Sequence, residues 1–304
     1  MKLINLFLII SIFCLYSCTE DDNSNNPPTC KITSPDNGQT ILIGDVVDIF
    51  VDAEDNDSKI TEIRYYINDN GVGSSTVFPY KFQWNTNALA VGNYKIKAKA
   101  FDDEGGSASD EIDVIINNSF TDVRDDKTYS VVKIGEQYWM AENLNYNINT
   151  GSWDYDYSAD NSNAYGKLYN WTTACDACPD GWHLPSDNEW KTLEVFLGMT
   201  QTEVEYYGWR GNDVGGKLKE SGSDHWSSPN YGASNSSDFN ALPSGAMDDY
   251  DYFFYDLTFG AYYWTSTGES SSYAYYRYLS YDNSGIFRSY KDKNDALSVR
   301  CVKD

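Results

Sequence analysis

The stretch CPDGWHLPSDNEW, residues 178–190, decides the fold of the second half of this 304-residue chain. Ser186 and Glu189 have the spacing of a capping box, in which the serine hydroxyl accepts from the backbone N–H three residues on and the glutamate accepts from the serine N–H. Trp190 and Leu193 follow on one face and begin an apolar stripe. The sequence therefore predicts a helix that begins after Ser186 and packs on a core.

The same stretch opens with a cysteine whose partner can be inferred from the other end of the chain. Leu297, Val299 and Cys301 alternate with polar residues in the last predicted strand, so we expect Cys301 to point into the core. Cys178 is the favoured partner. A disulfide between them would close a loop of more than a hundred residues, which is worth about 4–5 kcal/mol in the chain-entropy model.

Two alternatives exist for this cysteine. Cys175 and Cys178 have the Cys-x-x-Cys spacing of redox motifs, although no βαβ pattern surrounds them, and a zinc site would need His183 and one further ligand. With the long-range disulfide, Cys30 and Cys175 are left over and either pair across the domains or remain free.

The N-terminus indicates the compartment. Lys2 is followed by the apolar run LINLFLIISIFCLY, which has the length of a signal-peptide core and is too short for a permanent membrane span. Residues 15–18, Leu-Tyr-Ser-Cys, resemble a bacterial lipobox. We therefore predict a signal peptide at 1–17 and acylation of Cys18, with ordinary signal cleavage nearby as the alternative. Acyl chains would anchor the protein to a membrane surface.

The segment after the lipobox predicts a tether and a display signal. Residues 18–29 are polar, acidic and proline-ended, a composition typical of disorder. Their acidic start, Glu20-Asp21-Asp22, resembles the export signal of surface-displayed lipoproteins in Bacteroidetes-type bacteria. We expect an outer-membrane lipoprotein exposed on the cell surface.

Charge excludes one class of partner. The chain carries a net charge of −24, which argues against nucleic acid because phosphates require a basic surface. The acidity fits calcium or cationic partners, but because it is spread over both halves we favour solubility at a crowded cell surface as its explanation.

Residues 30–117 have the pattern of an all-β sandwich. Short runs of period-two alternation occur at 46–53, 60–67, 80–84, 92–100 and 107–116. The segments ITSPDNGQTILIGD, KITEIRYYIND and FPYKFQWNTNALAVGNYKIKAKAFDDEGG resemble bacterial immunoglobulin-like domains. The resemblance implies an immunoglobulin-like sandwich.

Two acidic loops of this sandwich are expected at the same end. A calcium ion takes six to eight oxygen ligands, so facing carboxylates there could bind one. The alternative is a solvated acidic end without an ion. The candidate ligands are Asp52, Asp55, Asp57, Asp102 and Asp103.

Residues 120–304 contain strands, helices and a long irregular segment. Strands are predicted at 129–134, 137–141, 262–265, 274–281, 286–290 and 296–302, and a second capping box at Thr200 and Glu203 predicts a second, shorter helix. Between them, residues 208–260 read as a loop region of the kind that often holds a binding surface.

This half resembles the Fibrobacter succinogenes major paralogous domain. The resemblance rests on TYSVVKIGEQYWMAENLNY, AYGKLYNW, CPDGWHLPSDNEW, GGKLKESG, FNALPSG, YYWTSTG and the C-terminal segment. That family is similar to the C-type lectin-like superfold, which implies an α+β domain following the all-β immunoglobulin-like sandwich. One segment is also similar to sulfatase-modifying proteins.

Catalysis and calcium-dependent sugar binding are not favoured. The Glu-Pro-Asn, Gln-Pro-Asp and Trp-Asn-Asp strings of calcium-dependent lectins do not occur, and Cys301 is the only cysteine where the sulfatase-modifying enzymes need a copper-binding pair. His183 suits a structural role, and His225 has no evident partner.

With catalysis disfavoured, the function that the sequence favours is that of a binding module. Exposed Tyr and Trp rings suit sugar stacking and protein contacts alike, although loop aromatics can also simply pack the loop down. The candidates are Trp209, Trp226, Tyr231, Tyr252, Tyr255 and Tyr281. We expect a non-enzymatic, surface-anchored protein that binds an extracellular glycan or protein, with a structural scaffold as the alternative and an enzyme third.

Overall fold

The computed structural model describes residues 25–304. The predicted signal peptide, the lipidation site Cys18 and residues 18–24 of the tether lie outside the described residues. The described residues divide into two compact units, one comprising residues 25–38 with Asp48–Trp84 and Tyr94–Val114, the other comprising Gln39–Val47, Asn85–Asn93 and Ile115–Asp304. Within residues 25–304, every helix is too short or too polar to cross a bilayer.

Eight strands form the immunoglobulin-like part of the chain. They are β1 Lys31–Ser34, β2 Thr40–Leu42, β3 Val46–Asp52, β4 Ile60–Ile67, β5 Asn70–Ser75, β6 Tyr80–Asn85, β7 Gly92–Asp102 and β8 Ser107–Asn117. Their order is β1-β3-β6 in a three-stranded sheet and β2-β8-β7-β4-β5 in a five-stranded sheet. All five predicted strands are confirmed, with ends that agree to about two residues.

Alternation explains why these segments are strands. In β7, Ile96, Ala98 and Ala100 are fully buried while the residues between them are half-buried. Tyr65 of β4 stacks on Phe82 of β6 with ring centroids 5.3 Å apart, so the two sheets share a core. The apolar residues of β4 and β7 thus lie on the face that is buried between the two sheets.

The remaining residues form fourteen strands and four α-helices. The strands are β9 Ser119–Asp122, β10 Lys127–Ile134, β11 Gln137–Met140, β12 Ser152–Trp153, β13 Leu168–Asn170, β14 Trp182–His183, β15 Gly208–Arg210, β16 Ser244–Asp248, β17 Phe253–Leu257, β18 Gly260–Gly268, β19 Tyr273–Ser280, β20 Ile286–Asp292, β21 Ala296–Ser298 and β22 Val302–Lys303. The helices are α1 Ala159–Tyr165, α2 Trp171–Cys175, α3 Asp187–Phe196 and α4 Val214–Leu218, with 3₁₀ turns at Tyr155–Tyr157 and Glu203–Glu205.

These strands belong to two sheets. A five-stranded sheet has the order β14-β22-β11-β10-β9, and a nine-stranded sheet has the order β12-β13-β21-β16-β18-β19-β20-β15, with β17 paired to β16. The segment 208–260, predicted as loop, supplies β15, β16 and β17 to the larger sheet. The fold is thus mostly β, and helix α3 is the longest helix among the described residues.

Helix α3 confirms the prediction made from residues 178–190. The Ser186 hydroxyl accepts from the Glu189 N–H at 3.2 Å, and the Glu189 carboxylate accepts from the Ser186 N–H at 2.7 Å. Trp190 and Leu193 are fully buried. The second capping box also forms, but its helix stops after one 3₁₀ turn because the chain becomes extended at Tyr206 and leads into β15.

The disulfide between Cys178 and Cys301 is confirmed, and it joins two positions that are 123 apart in sequence. Cys30 and Cys175 are free, and burial raises the pKa of the Cys175 thiol to about 11. The prediction of a strand at 296–302 is wrong in its length. The strand ends at Ser298, and residues 296–301 are all buried regardless of polarity, including Arg300, whose guanidinium donates to the Asn143 side chain.

Candidate functional site

Four aromatic residues stand in register across four neighbouring strands of the nine-stranded sheet. Trp209 of β15 pairs with Phe287 of β20, Phe287 pairs with Tyr278 of β19, and Tyr278 pairs with Tyr262 of β18. Directly opposed residues share one face of a sheet. These residues therefore form a row perpendicular to the strands, which we call the aromatic ladder.

The rings of the aromatic ladder touch one another. Tyr262 and Tyr278 stack with centroids 4.4 Å apart, and Trp209 lies 5.4 Å from Tyr278 and 5.3 Å from Phe287. Gly260 makes room for this arrangement, since a Cβ there would come within 2.7 Å of the Tyr278 ring and 2.9 Å of the Tyr262 ring. The rings therefore pack against one another along the row.

Exposure decreases along the ladder. Trp209 is 41% exposed, Phe287 and Tyr278 are half-buried, and Tyr262 is 8% exposed. Trp209 lies on β15, the last strand in the sheet order. The ladder therefore offers its most accessible ring at the sheet edge.

Two tyrosines and a carboxylate widen the inner end of the ladder. Tyr255 and Tyr276 lie 5.8 Å and 6.1 Å from the Tyr262 ring. The Tyr262 hydroxyl donates to Asp256 at 2.6 Å. Burial raises the pKa of Tyr276 to about 12, and burial together with the Asp256 bond raises that of Tyr262. The phenols of Tyr262 and Tyr276 stay protonated near neutral pH and can donate hydrogen bonds.

An open groove of about 480 Å³ adjoins Tyr255. It lies along the tip of the β16–β17 hairpin and is lined by Asp248, Tyr250, Asp251, Phe253, Tyr255 and Lys291. Tyr250 is 95% exposed. The Lys291 ammonium lies 2.5 Å from the buried Asp295 carboxylate, and although burial opposes it, this hydrogen bond raises the lysine pKa. The groove thus combines aromatic walls with carboxylates and one paired cation.

A buried ion network holds the opposite side of the same strands. Arg277 of β19 lies beside Arg288 of β20, one position away from the ladder residues in each strand. Arg277 donates to Glu194 at 2.6 Å and to Asp187 at 2.8 Å, and Arg288 binds both oxygens of Asp187. Burial alone would raise the pKa of Asp187, but the two arginines lower it. The network fastens the strands to helix α3.

A second aromatic cluster continues from this network. The Arg288 guanidinium lies over the rings of Tyr207 and Tyr275, at 4.8 Å and 4.6 Å. The two tyrosine hydroxyls are hydrogen-bonded at 2.9 Å, which together with burial raises the pKa of Tyr275 to about 12. Each face of the β19–β20 hairpin thus carries aromatic side chains.

The structure brings two of the six predicted ligand-binding aromatics together. Trp209 belongs to the ladder, and Tyr255 joins the ladder to the groove. Tyr252 is exposed in the β16–β17 turn, beside the groove-lining Asp251 and Phe253. The ladder members Tyr262, Tyr278 and Phe287 were missed, although they follow period-two alternation in strands that the sequence did predict.

The prediction for Trp226 is wrong. Its side chain is 2% exposed, and its indole N–H donates to the Ala241 carbonyl at 2.9 Å inside the core. The fully buried Lys219 lies 5.3 Å above its ring. Tyr231 is 60% exposed and Tyr281 is half-buried against Phe259, and neither makes a ring contact with the ladder.

Both histidines are held by carboxylates. His183 lies 2.7 Å from Glu189 and 2.6 Å from Asp304, and these two bonds raise its pKa in spite of partial burial. The structural role predicted for His183 fits this geometry. His225 has a partner after all, because its Nδ1 lies 2.8 Å from Glu220.

The five aspartates proposed as calcium ligands are largely engaged by the backbone. Asp55 and Asp103 accept N–H bonds from Ser58 and Lys59, and Asp102 accepts from Gly106 at 2.7 Å. Asp57 binds Asn26, while Asp52 ends β3. Within residues 25–304, no group of three or more His, Cys, Asp or Glu side chains is arranged to hold a metal ion. The calcium prediction gains no support from this geometry.

Comparisons assign both parts of the chain to known domain types. Residues 132–303 match the model of the Fibrobacter succinogenes major domain, and residues 28–98 match that of a bacterial Ig domain. The chain has no significant match among curated proteins.

Solved structures give weak likenesses. The fibronectin(III)-like modules of Clostridium thermocellum CbhA share 25% identity over 30% of this chain and 46% of theirs, with a TM-score of 0.28. Bacteroides ovatus SGBP-B, solved in complex with a mixed-linkage heptasaccharide, shares 15% identity over 42% of this chain and 38% of its own length, with a TM-score of 0.24. The Yersinia pseudotuberculosis adhesin InvE shares 10% identity over 91% of this chain and 70% of its own length, with a TM-score of 0.25. The chain spans less than half the length of the CbhA modules, and scores this low indicate neither ligand nor function.

Proposed function

This chain belongs to the Fibrobacter succinogenes major domain family, and from that premise we propose that its second unit binds an extracellular glycan along the aromatic ladder. The observation that carries the proposal is the register of Trp209, Phe287, Tyr278 and Tyr262 across four strands. Aligned rings on one sheet face provide a continuous amphipathic surface rather than scattered loop aromatics.

The chemistry of the ladder suits sugars. Each pyranose ring has apolar C–H faces and a rim of hydroxyls. Trp209, at 41% exposure, is the ring most available for stacking on such a face. Tyr276 and Tyr278 are half-buried, so their hydroxyls can exchange hydrogen bonds with a sugar, and Asp256 is a further acceptor.

The chain context favours display at the cell surface. In this proposal Cys18 carries the lipid anchor, the immunoglobulin-like part is the spacer, and the second unit, a C-type lectin-like head, contacts the ligand. A glycan is preferred over a protein partner because the groove next to the ladder is lined by carboxylates, whereas the centres of protein interfaces are depleted of Asp and Glu.

Native affinity electrophoresis of the purified full chain in gels containing single polysaccharides tests the proposal. We expect at least one polysaccharide to retard the protein, and Trp209→Ala to weaken binding by about tenfold or more, since loss of a well-exposed aromatic contact with the ligand would cost about 1.4 kcal/mol or more. Tyr231→Ala is the control, because that ring is even more exposed than Trp209 but lies off the ladder. Equal loss in both variants, or retardation by no polysaccharide, would count against the ladder and favour a scaffold role.

A further inference from the structure

We infer that the ligand is the interior of an extended, uncharged polysaccharide chain, rather than a terminal sugar or an acidic polysaccharide. This inference rests on the proposed function and adds the ligand class. It is carried by the direction and spacing of the ladder and by the charges at its inner end.

The spacing of the ladder residues matches the repeat of an extended polysaccharide chain. Its four residues occupy four consecutive strands, β15, β20, β19 and β18. Neighbouring strands are about 4.8 Å apart, which is close to the length that one sugar unit adds to an extended chain. Successive units of a chain lying across the strands would therefore meet the rings of Trp209, Phe287 and Tyr278, while the nearly buried Tyr262 supports Tyr278 by stacking on it.

The path continues at both ends. Beyond Tyr262, the Tyr255 ring follows at 5.8 Å and opens into the groove of the β16–β17 hairpin. At the other end, β15 is the last strand of the sheet order, so a chain can run past Trp209 into solvent. A surface with this form recognises the side of a chain and does not require its end.

The charges at the inner end select against acidic sugars. Asp248 and Asp251 line the groove, and Asp256 accepts the bond from Tyr262. Among the described residues that line the groove, the one cation is Lys291, and it is already paired with Asp295. A uronic acid or sulfate entering this region would lie within the roughly 8 Å Debye length of several carboxylates at physiological ionic strength, so repulsion would not be fully screened.

The first test uses the purified full chain and isothermal titration calorimetry. Neutral polysaccharides (β-glucan, xylan, mannan, galactan and starch) are compared with polygalacturonate, alginate and heparin, and the best neutral polymer is then cut into oligosaccharides of one to seven units. We expect a neutral polymer to bind best. We also expect affinity to rise about tenfold or more from two to four units and to change by less than about twofold beyond five.

The outcomes separate the two proposals. A monosaccharide that binds as well as the tetramer, or an acidic polymer that binds best, would overturn this inference and leave glycan binding intact. Failure of every polysaccharide to bind would remove the proposed function itself. Reduction of the oligosaccharide's terminal sugar to an alditol should leave the affinity of long chains within about twofold, and a larger loss would mean that chain ends are recognised.

A second test addresses charge. Asp248→Asn/Asp251→Asn keeps the side-chain acceptors that serve the Tyr250 and Phe253 N–H groups while removing two negative charges. We expect this variant to bind polygalacturonate at least about threefold more tightly at low salt, with the gain lost at high salt. The control Asp160→Asn/Asp180→Asn removes the same charge elsewhere on the surface of the second unit. An equal gain in the control would reduce the selectivity to an effect of net charge and overturn this part of the inference.

Discussion

Removal of the Cys178–Cys301 disulfide should strongly destabilise the second unit. The bond joins positions 123 residues apart. The chain-entropy model gives about 4.9 kcal/mol for a loop of that length at 25 °C, and measured losses for natural disulfides are about 2–5 kcal/mol. Because the total stability of a domain is about 5–15 kcal/mol, the loss would be a large share of it. Alanine at both positions avoids leaving an unpaired thiol near Cys175.

Guanidinium unfolding followed by tryptophan fluorescence measures this loss, because eight of the nine tryptophans lie after residue 120. We expect Cys178→Ala/Cys301→Ala to lower the free energy of unfolding by about 2–5 kcal/mol and to raise the m value, because the denatured chain without the cross-link exposes more surface. Cys175→Ala is the control, since it removes a free thiol three residues away and should cost far less. A double variant within about 0.5 kcal/mol of the control would refute the view that this bond closes the unit.

Two further predictions concern charges. Arg277→Met breaks the buried pairs with Asp187 and Glu194 and should cost about 3–5 kcal/mol of unfolding free energy, whereas Asp213→Asn, which breaks an exposed pair, should cost about 1 kcal/mol or less by the same measurement. His183→Gln should destabilise most between pH 4.5 and 6.5. Bonding to carboxylates raises the His183 pKa above 6.5, so its stabilisation is complete below that pH and fades as pH rises through the folded-state pKa. A destabilisation by His183→Gln that does not shrink between pH 6.5 and 9 would contradict the pairing.

The parts of the fold that depend on neighbours in sequence could be predicted. The capping box at Ser186 forms because both of its hydrogen bonds join residues three apart. Strands β4 and β7 were found because their alternation reports directly which residues face the core. The Cys178–Cys301 bond was also predictable, since one cysteine precedes the helix and the other follows an apolar strand.

The segment 208–260 shows where the sequence was insufficient. Its Gly, Ser, Asn and Asp content is typical of loops, yet it supplies β16 and β17, and β16 is held by long-range pairing with β18 and β21. Trp226 has the same local setting as an exposed loop aromatic. Contacts with residues outside its own segment, among them the Ala241 carbonyl and the buried Lys219, place its ring in the core. Composition carries no information about such contacts.

The alignment of the ladder rings depends on the buried ion network on the opposite face of the sheet. In β19 the order Tyr276-Arg277-Tyr278 sends the two rings to one face and the arginine to the other. A slip of one residue would move the rings inward and expose Arg277, leaving Asp187 and Glu194 buried without one of their partners. That state would cost several kcal/mol, comparable to breaking a buried ion pair. The buried ions therefore set the register on which ring alignment depends, and substitutions there should impair ligand binding without touching the ligand.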